Sequence, residues 1–65
     1  MNHAELQAIV NENMDNALDN APEFIKTASN LAIAEDMLEY CADFEFLDLS
    51  PDDLVPFIET WWNKV

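Results

Sequence analysis

Carboxylates are the most abundant chemically capable side chains in this chain, and they concentrate between residues 34 and 53. That stretch, AEDMLEYCADFEFLDLSPDD, contains eight Asp or Glu residues and no Lys or Arg. Closely spaced carboxylates can act as general acids and bases, coordinate a hard cation, or present negative charge to a basic partner. Each of these functions needs different companion residues, which the rest of the sequence either supplies or lacks.

Catalysis by these carboxylates is not expected. Nucleophilic catalysis would need a nucleophile beside a base, and the single histidine, His3, lies close to the N-terminus. Acid–base catalysis by paired carboxylates needs a concave, desolvated pocket, and a helical chain of 65 residues offers little concavity. The sequence therefore predicts a non-enzymatic protein that uses no cofactor.

A specific metal site is not expected either. Asp48, Asp52 and Asp53 lie close together in sequence, but the regular D-x-D-x-D-G spacing and final Glu of an EF-hand loop are absent. A zinc site would need a cluster of Cys and His residues, whereas the chain has one of each. Asp52 and Asp53 are better explained as residues that stabilise the start of a helix.

The remaining chemistry is a negatively charged face. If residues 35–43 are helical, Glu35, Glu39 and Asp43 stack at every fourth position, about 6 Å apart along the axis. This spacing is comparable with that of successive phosphates along a nucleic-acid strand, so the carboxylates could occupy a basic groove. An acidic face that only keeps the protein soluble would account for the same residues. The candidate partner-binding residues of this acidic row are Glu35, Asp36, Glu39, Asp43, Glu45 and Asp48.

The net charge restricts the class of partner. Fourteen acidic residues against two lysines give a formal charge of −12, which disfavours direct binding to nucleic acid or to an anionic membrane. The expected partner is a basic protein, such as a nucleic-acid-binding protein or complex. One cysteine excludes an internal disulfide, and the N-terminus shows no signal peptide. We therefore expect a cytoplasmic protein, located in the host cytoplasm if a phage encodes it.

The elements that position these residues are predicted to be α-helices. A hydrophobic fraction of 51% indicates a packed core, and the absence of glycine disfavours tight hairpin turns. The sequence predicts a small all-α three-helix domain with helices at about 3–19, 22–42 and 51–64. The DFEFLDLS segment at 43–50 alternates like a strand, but with no second strand we favour a connector in which Phe44 or Phe46, Leu47 and Leu49 cover the core.

Local signals mark where the helices begin. Asn2 followed by Glu5 forms a capping-box pattern, and Pro22 suits the first turn of the second helix. Ser50 is predicted to cap the third helix, ahead of Pro51. A break in the second helix near residues 29–30 is left open, because Ser and Asn favour caps over helix interiors.

The second predicted helix carries two apolar stripes. One comprises Phe24, Ala28, Leu31, Leu38 and Cys41 and is expected to pack in the core. A helix with two such stripes is usually central and covered on both sides, unless one stripe is a dimer seam. The second stripe comprises Ile33, Met37 and Tyr40, and together with Trp62 of the third predicted helix it is a candidate for partner binding or for the seam of a homodimer. Trp61 is expected in the core, because neighbouring helical residues diverge by about 100°.

The combination of small size, helical patterning and strong acidity resembles, in type only, the small inhibitor proteins of bacteriophages and mobile elements. Some of those proteins, including anti-restriction and anti-CRISPR proteins, imitate DNA. The leading hypothesis is thus an inhibitor whose acidic row occupies the nucleic-acid site of a target. Two alternatives remain open: an adaptor or antitoxin-like module that docks an apolar helix face into a groove, and a small self-associating regulatory protein.

Overall fold

The computed structural model describes residues 2–44 and 47–64 of the chain. Its elements are α1 (His3–Asn20), α2 (Pro22–Thr27), α3 (Asn30–Tyr40), a 3₁₀ turn (Ala42–Phe44) and α4 (Pro51–Lys64). The predicted all-α domain is confirmed, and no strand occurs within the described ranges. None of the described helices combines the length and the apolar character needed to cross a membrane.

The first two helices begin as their local sequence predicts. The side chain of Asn2 accepts a hydrogen bond from the backbone N–H of Glu5 at 2.8 Å, and its Nδ2 donates to Glu5 Oε1 at 3.0 Å. This reciprocal pair satisfies a donor that would otherwise be orphaned at the helix start. Pro22 occupies the first turn of α2, where its missing N–H costs no helical hydrogen bond.

At the start of α4, Ser50 is a hydrogen-bond donor, whereas its hydroxyl was predicted to be an acceptor. Asp53 Oδ2 accepts both the backbone N–H of Ser50, at 2.9 Å, and its hydroxyl, at 3.1 Å. The serine hydroxyl was expected to accept a backbone N–H of the helix, but it donates to the Asp53 carboxylate instead, because a carboxylate is a strong acceptor. Asp53 therefore serves the helix start, as its sequence position indicated.

The single helix predicted at 22–42 is two helices in the structure. Ala28 and Ser29 have extended backbones, with ψ of 153° and 158°, and separate α2 from α3. Ser29 Oγ accepts the backbone N–H of Ala32 at 3.1 Å, so the serine acts as the N-cap of α3. The hydroxyl stabilises a new helix start more than it could support a continuous helix, because Ser competes with the helical backbone.

Replacing the two serines separately tests these contrasting roles. We expect Ser29→Ala to lower the free energy of unfolding by about 1 kcal/mol, because the Ala32 N–H loses its cap. Ser50→Ala is expected to cost less, because the Ser50 backbone N–H still donates to Asp53. Urea unfolding followed by far-UV circular dichroism measures both values, and an equal or larger loss in Ser50→Ala would contradict the assignment.

Helix α4 is the central element of the fold, because it packs against both α1 and α3. The two apolar stripes had instead favoured the second predicted helix for this position. The buried side chains form one core: Val10, Met14, Ile25, Ile33, Ala34, Met37, Phe44, Leu54, Ile58 and Trp61. The connector after α3 contributes Phe44 to this core, as predicted, whereas Phe46 and Glu45 lie outside the described residues.

The stripe expected to pack in the core is only partly buried. Leu31 is 43% exposed and Phe24 is 38% exposed, whereas Ile33 and Met37 of the other stripe are 1% and 3% exposed. The break at Ser29 uncouples Phe24 from α3, so the two halves of the expected stripe no longer share one helical face. Helix α3 instead buries the face of Ile33, Ala34 and Met37.

Two polar contacts fix α1 against α4. The indole Nε1–H of the buried Trp61 donates to Asp15 Oδ1 at 2.9 Å. Gln7 Nε2 donates to the backbone carbonyl of Phe57 at 2.9 Å. Trp62 packs edge-to-face on Trp61, with ring centroids 4.9 Å apart, and is partly exposed at the edge of the core. The core position predicted for Trp61 is confirmed.

Candidate functional site

The candidate site is centred on the outer face of α3. Glu35, Asp36 and Glu39, hereafter the α3 acidic face, are all exposed. Glu35 and Glu39 lie on the side of the helix opposite to the buried Ile33 and Met37, because helical positions advance by about 100° per residue, and Asp36 lies between Glu39 and the buried face. Glu35 and Glu39 are separated by one helical turn, about 6 Å along the axis. The structure thus brings three predicted site residues together on one accessible surface.

The carboxylates of the α3 acidic face have no observed role in holding the fold together. Elsewhere in the chain, the side chains of Glu5, Asp15, Asp43 and Asp53 accept hydrogen bonds from other residues. Within the part of the chain that the structure describes, no side-chain hydrogen bond is found for the α3 acidic face. These three charges are therefore left available for a partner.

The placement of charge along α3 also opposes helix stability. Negative side chains stabilise a helix near its N-terminus and positive ones near its C-terminus, because of the helix dipole. Helix α3 has no acidic residue in its first turn and no basic residue in its last turn, where Glu39 lies. Helix α4 follows the favourable pattern, with Asp52 and Asp53 at its start and Lys64 at its end. The charges of α3 are thus not arranged to support the helix that carries them.

The predicted acidic row does not continue as one helical stack beyond α3. The helix ends at Tyr40, and Asp43 lies in the following 3₁₀ turn. Asp43 Oδ2 accepts a hydrogen bond from Nδ2 of Asn13 in α1 at 3.1 Å, which ties this carboxylate to the fold. Asp48 is exposed in the irregular segment before α4, and Glu45 lies outside the described residues. The phosphate-like spacing therefore applies to Glu35 and Glu39 and does not extend to Asp43.

The predicted apolar binding stripe is divided by the fold. Ile33 and Met37 belong to the core of the single chain, so neither is available to a partner or to a dimer seam. Their burial follows from α3 packing against α4 through this face. Tyr40, in contrast, is 73% exposed at the end of α3, and Trp62 is partly exposed on α4.

A groove of about 460 Å³ lies beside the α3 acidic face, where α3 meets the connector to α4. Its volume is within the range of about 300–1,000 Å³ that is usual for binding pockets. Phe44 is buried beneath it, while Tyr40 and Glu39 are exposed at its edge. The residues that line this groove include Leu38, Glu39, Tyr40, Cys41, Phe44, Leu47 and Leu49.

Cys41 lines this groove, and its surroundings disfavour the reactive thiolate form. Burial raises the pKa of its thiol above the ordinary value, and the negative charges of Asp36 and Asp43 raise it further. A raised pKa keeps the sulfur protonated, and the thiolate is the reactive form. The thiol therefore contributes to the groove as a small apolar surface.

Alkylation kinetics test this assignment of Cys41. At mildly alkaline pH, iodoacetamide should modify the folded chain more slowly than the urea-unfolded chain. Asp36→Asn should speed the folded reaction, because a charge that raises the thiol pKa is removed, whereas Glu12→Gln should leave the rate unchanged. Because folding raises the thiol pKa, the protonated thiol stabilises the folded state at pH values below the unfolded-state pKa of Cys41. This stabilisation is lost as the pH rises through the higher folded-state pKa. Equal rates in the folded and unfolded chains would contradict the assignment.

No cluster of three or more His, Cys, Asp or Glu residues suited to holding a metal ion occurs in the ranges that the structure covers. In the Asp48, Asp52 and Asp53 group, the Asp53 carboxylate already accepts two hydrogen bonds from Ser50. This arrangement agrees with the capping role that the sequence indicated for Asp53.

Two features of the site were not predicted from the sequence: the groove, and the hydrogen bond between Asn13 and Asp43. The bond joins residues that lie 30 positions apart, and no local pattern signals a contact over that separation. The alternation of apolar and acidic residues at 43–50 did indicate that one side of the connector faces the core. It could not indicate the depression that this connector leaves beside α3.

Comparison with known proteins identifies no relative of this chain. The chain matches no protein-family model, no curated protein and no solved structure.

Proposed function

We propose that the protein is a non-enzymatic inhibitor that binds the basic, nucleic-acid-binding surface of a target protein. The observation that carries this proposal is the α3 acidic face, whose three exposed carboxylates have no observed hydrogen bond in the described chain and include Glu39, which lies in the last turn and opposes the helix dipole. Like charges spaced three or four residues apart also destabilise an isolated helix. Charges that do not serve the fold are best explained by a partner.

The distribution of charge over the molecule supports a basic partner. The formal charge is −12, and the two lysines, Lys26 and Lys64, lie in the last turns of α2 and α4. The resulting negative field would attract and orient a surface rich in Lys and Arg. Such attraction speeds association and weakens as salt increases, so binding should be strongest at low ionic strength.

The dimensions of the molecule are compatible with mimicry of a short nucleic-acid segment. The longest extent of the molecule is 30 Å, which corresponds to about nine base-pair steps at about 3.4 Å each. Glu35 and Glu39 present carboxylates at about the spacing of successive phosphates. Arg side chains bind carboxylates and phosphates with the same two-pronged geometry, so one basic groove could accept either.

The apolar alternatives receive less support. Docking or self-association through the predicted stripe would need Ile33 and Met37 at the surface, and both are buried. The homodimer stays a prediction, which the mass of the protein in solution tests directly. Our proposal places the protein in the cytoplasm, where nucleic-acid-binding targets are found and a lone cysteine such as Cys41 stays reduced.

Capture from the cells in which the gene occurs, or from their host, tests the proposed function. The immobilised protein is expected to retain basic nucleic-acid-binding proteins at low salt, and duplex DNA is expected to elute them. The proposal would be contradicted if the protein retained no nucleic-acid-binding protein, or if DNA did not displace the proteins that it retained. An unrelated protein of equal net charge serves as the control for capture by charge alone.

A further inference from the structure

The groove beside the α3 acidic face is not used by electrostatic mimicry alone. Phosphate-like carboxylates need only an exposed surface, yet this surface adjoins a groove of about 460 Å³ whose lining is both polar and apolar. Leu38, Leu47 and Leu49 are each only partly buried there, so their remaining apolar surface is accessible. Tyr40, at 73% exposure, adds a large aromatic side chain to the same edge.

We propose that this groove binds one large apolar side chain from a basic segment of the target, while the α3 acidic face binds the Arg or Lys residues beside it. The inference rests on the proposed function and adds the chemistry of the segment that is recognised. Glu39 joins the two parts, because it belongs to the α3 acidic face and also lines the groove. A leucine or an aromatic residue between basic residues would engage both parts at once.

Charge complementarity favours this occupant over the others. A second copy of the chain would bring its own formal charge of −12 to an acidic surface, and the two copies would repel each other. A basic segment instead gains attraction along the same path. Burial of its apolar side chain adds a contribution that salt does not screen, so the groove could distinguish the target from other basic proteins.

The experiment uses two synthetic peptides with the ¹⁵N-labelled full-length protein. One is a heptapeptide of arginines with a central leucine, and the other carries serine in place of the leucine. Both peptides should shift the backbone amide resonances of the α3 acidic face. Only the leucine peptide should also shift those of Leu38, Cys41, Leu47 and Leu49, and it should bind about tenfold more tightly, as expected for burial of one leucine side chain.

A pair of exposed aromatic residues provides matched variants. Tyr40→Ala should weaken binding of the leucine peptide and leave the serine peptide unchanged, because Tyr40 lines the groove. Phe24→Ala removes an exposed aromatic side chain from α2, outside the groove, and should change neither affinity. Both side chains are largely or partly exposed, so the variants should keep the wild-type far-UV circular dichroism spectrum.

The outcomes separate this inference from the function on which it rests. Equal affinities for the two peptides, with no shift at the groove, would overturn the groove inference while shifts at the α3 acidic face would still support a basic partner. Shifts at neither surface would overturn both. A response to the leucine peptide that Tyr40→Ala does not weaken would also contradict the groove inference, because it would place the leucine elsewhere.

Discussion

The triple variant Glu35→Gln/Asp36→Asn/Glu39→Gln is expected to bind the captured target more weakly while unfolding at a higher temperature than the wild type. The variant loses three exposed ion pairs between α3 and the Lys or Arg residues of the target. This loss should reduce the affinity for the target by a factor of about ten to a hundred. Removing the like-charge pairs within α3 should stabilise the helix by about 0.5–1 kcal/mol. For a domain of this size, that gain corresponds to a few degrees in the unfolding midpoint, about 2–8 °C. Titration calorimetry measures the affinity, and scanning calorimetry measures the midpoint.

A matched variant separates the location of charge from its amount. Glu12→Gln/Asp19→Asn/Glu59→Gln also changes the formal charge from −12 to −9, but it neutralises exposed positions on α1 and α4. This control should lose only the long-range part of the attraction and keep most of its affinity. Equal losses in the two variants would show that total charge, and not the α3 acidic face, determines binding.

Trp61→Ala is expected to have the largest effect on the fold. Trp61 is 2% exposed and lies in the core on α4, the helix that contacts both α1 and α3. Truncating a buried aromatic residue to Ala costs about 3–5 kcal/mol. A single core in a domain of this size supplies only about 3–5 kcal/mol of net stability. The variant should therefore be largely unfolded at 25 °C, as measured by far-UV circular dichroism and one-dimensional NMR.

Two further variants assign the effect of Trp61 to packing. Trp62→Ala removes a tryptophan that is only partly buried and should leave the chain folded. Asp15→Asn keeps an oxygen that can accept the Trp61 indole N–H, so it should destabilise much less than Trp61→Ala. A folded Trp61→Ala variant, or an unfolded Asp15→Asn variant, would contradict this account of the core.

The positions at which α1, α2 and α4 begin were predictable because they depend on neighbouring residues. The Asn2–Glu5 pair, Pro22 and the Ser50–Asp53 pair each involve positions within one helical turn. The polar side chains bond to unpaired backbone groups at the helix start, and Pro22 lacks an N–H that would be unpaired there. For the same reason, the sequence indicated that Asp53 belongs to the fold and that the α3 acidic face had no such explanation.

The buried face of α3 was not predictable from the sequence alone. Both apolar stripes have helical spacing, and the choice between them depends on how α3 meets α4. The residue types at 29–30 are compatible with a break between helices. Its effect on the burial of Phe24 and Leu31 depends on how α2 and α3 are then oriented, which the local sequence does not determine. The bond from Trp61 to Asp15 joins residues 46 positions apart, and local pattern carries no information about such contacts.

Competition between the protein and duplex DNA for a captured target tests whether the protein occupies the nucleic-acid-binding surface. A fluorescent duplex is bound to the target at low salt, and the unlabelled protein is added over a range of concentrations. We expect complete displacement of the duplex, with an apparent affinity of the target for the duplex that falls as the protein concentration rises. The α3 triple variant should need higher concentrations than its matched control. A stable complex that contains the target, the duplex and the protein together would contradict mimicry of nucleic acid.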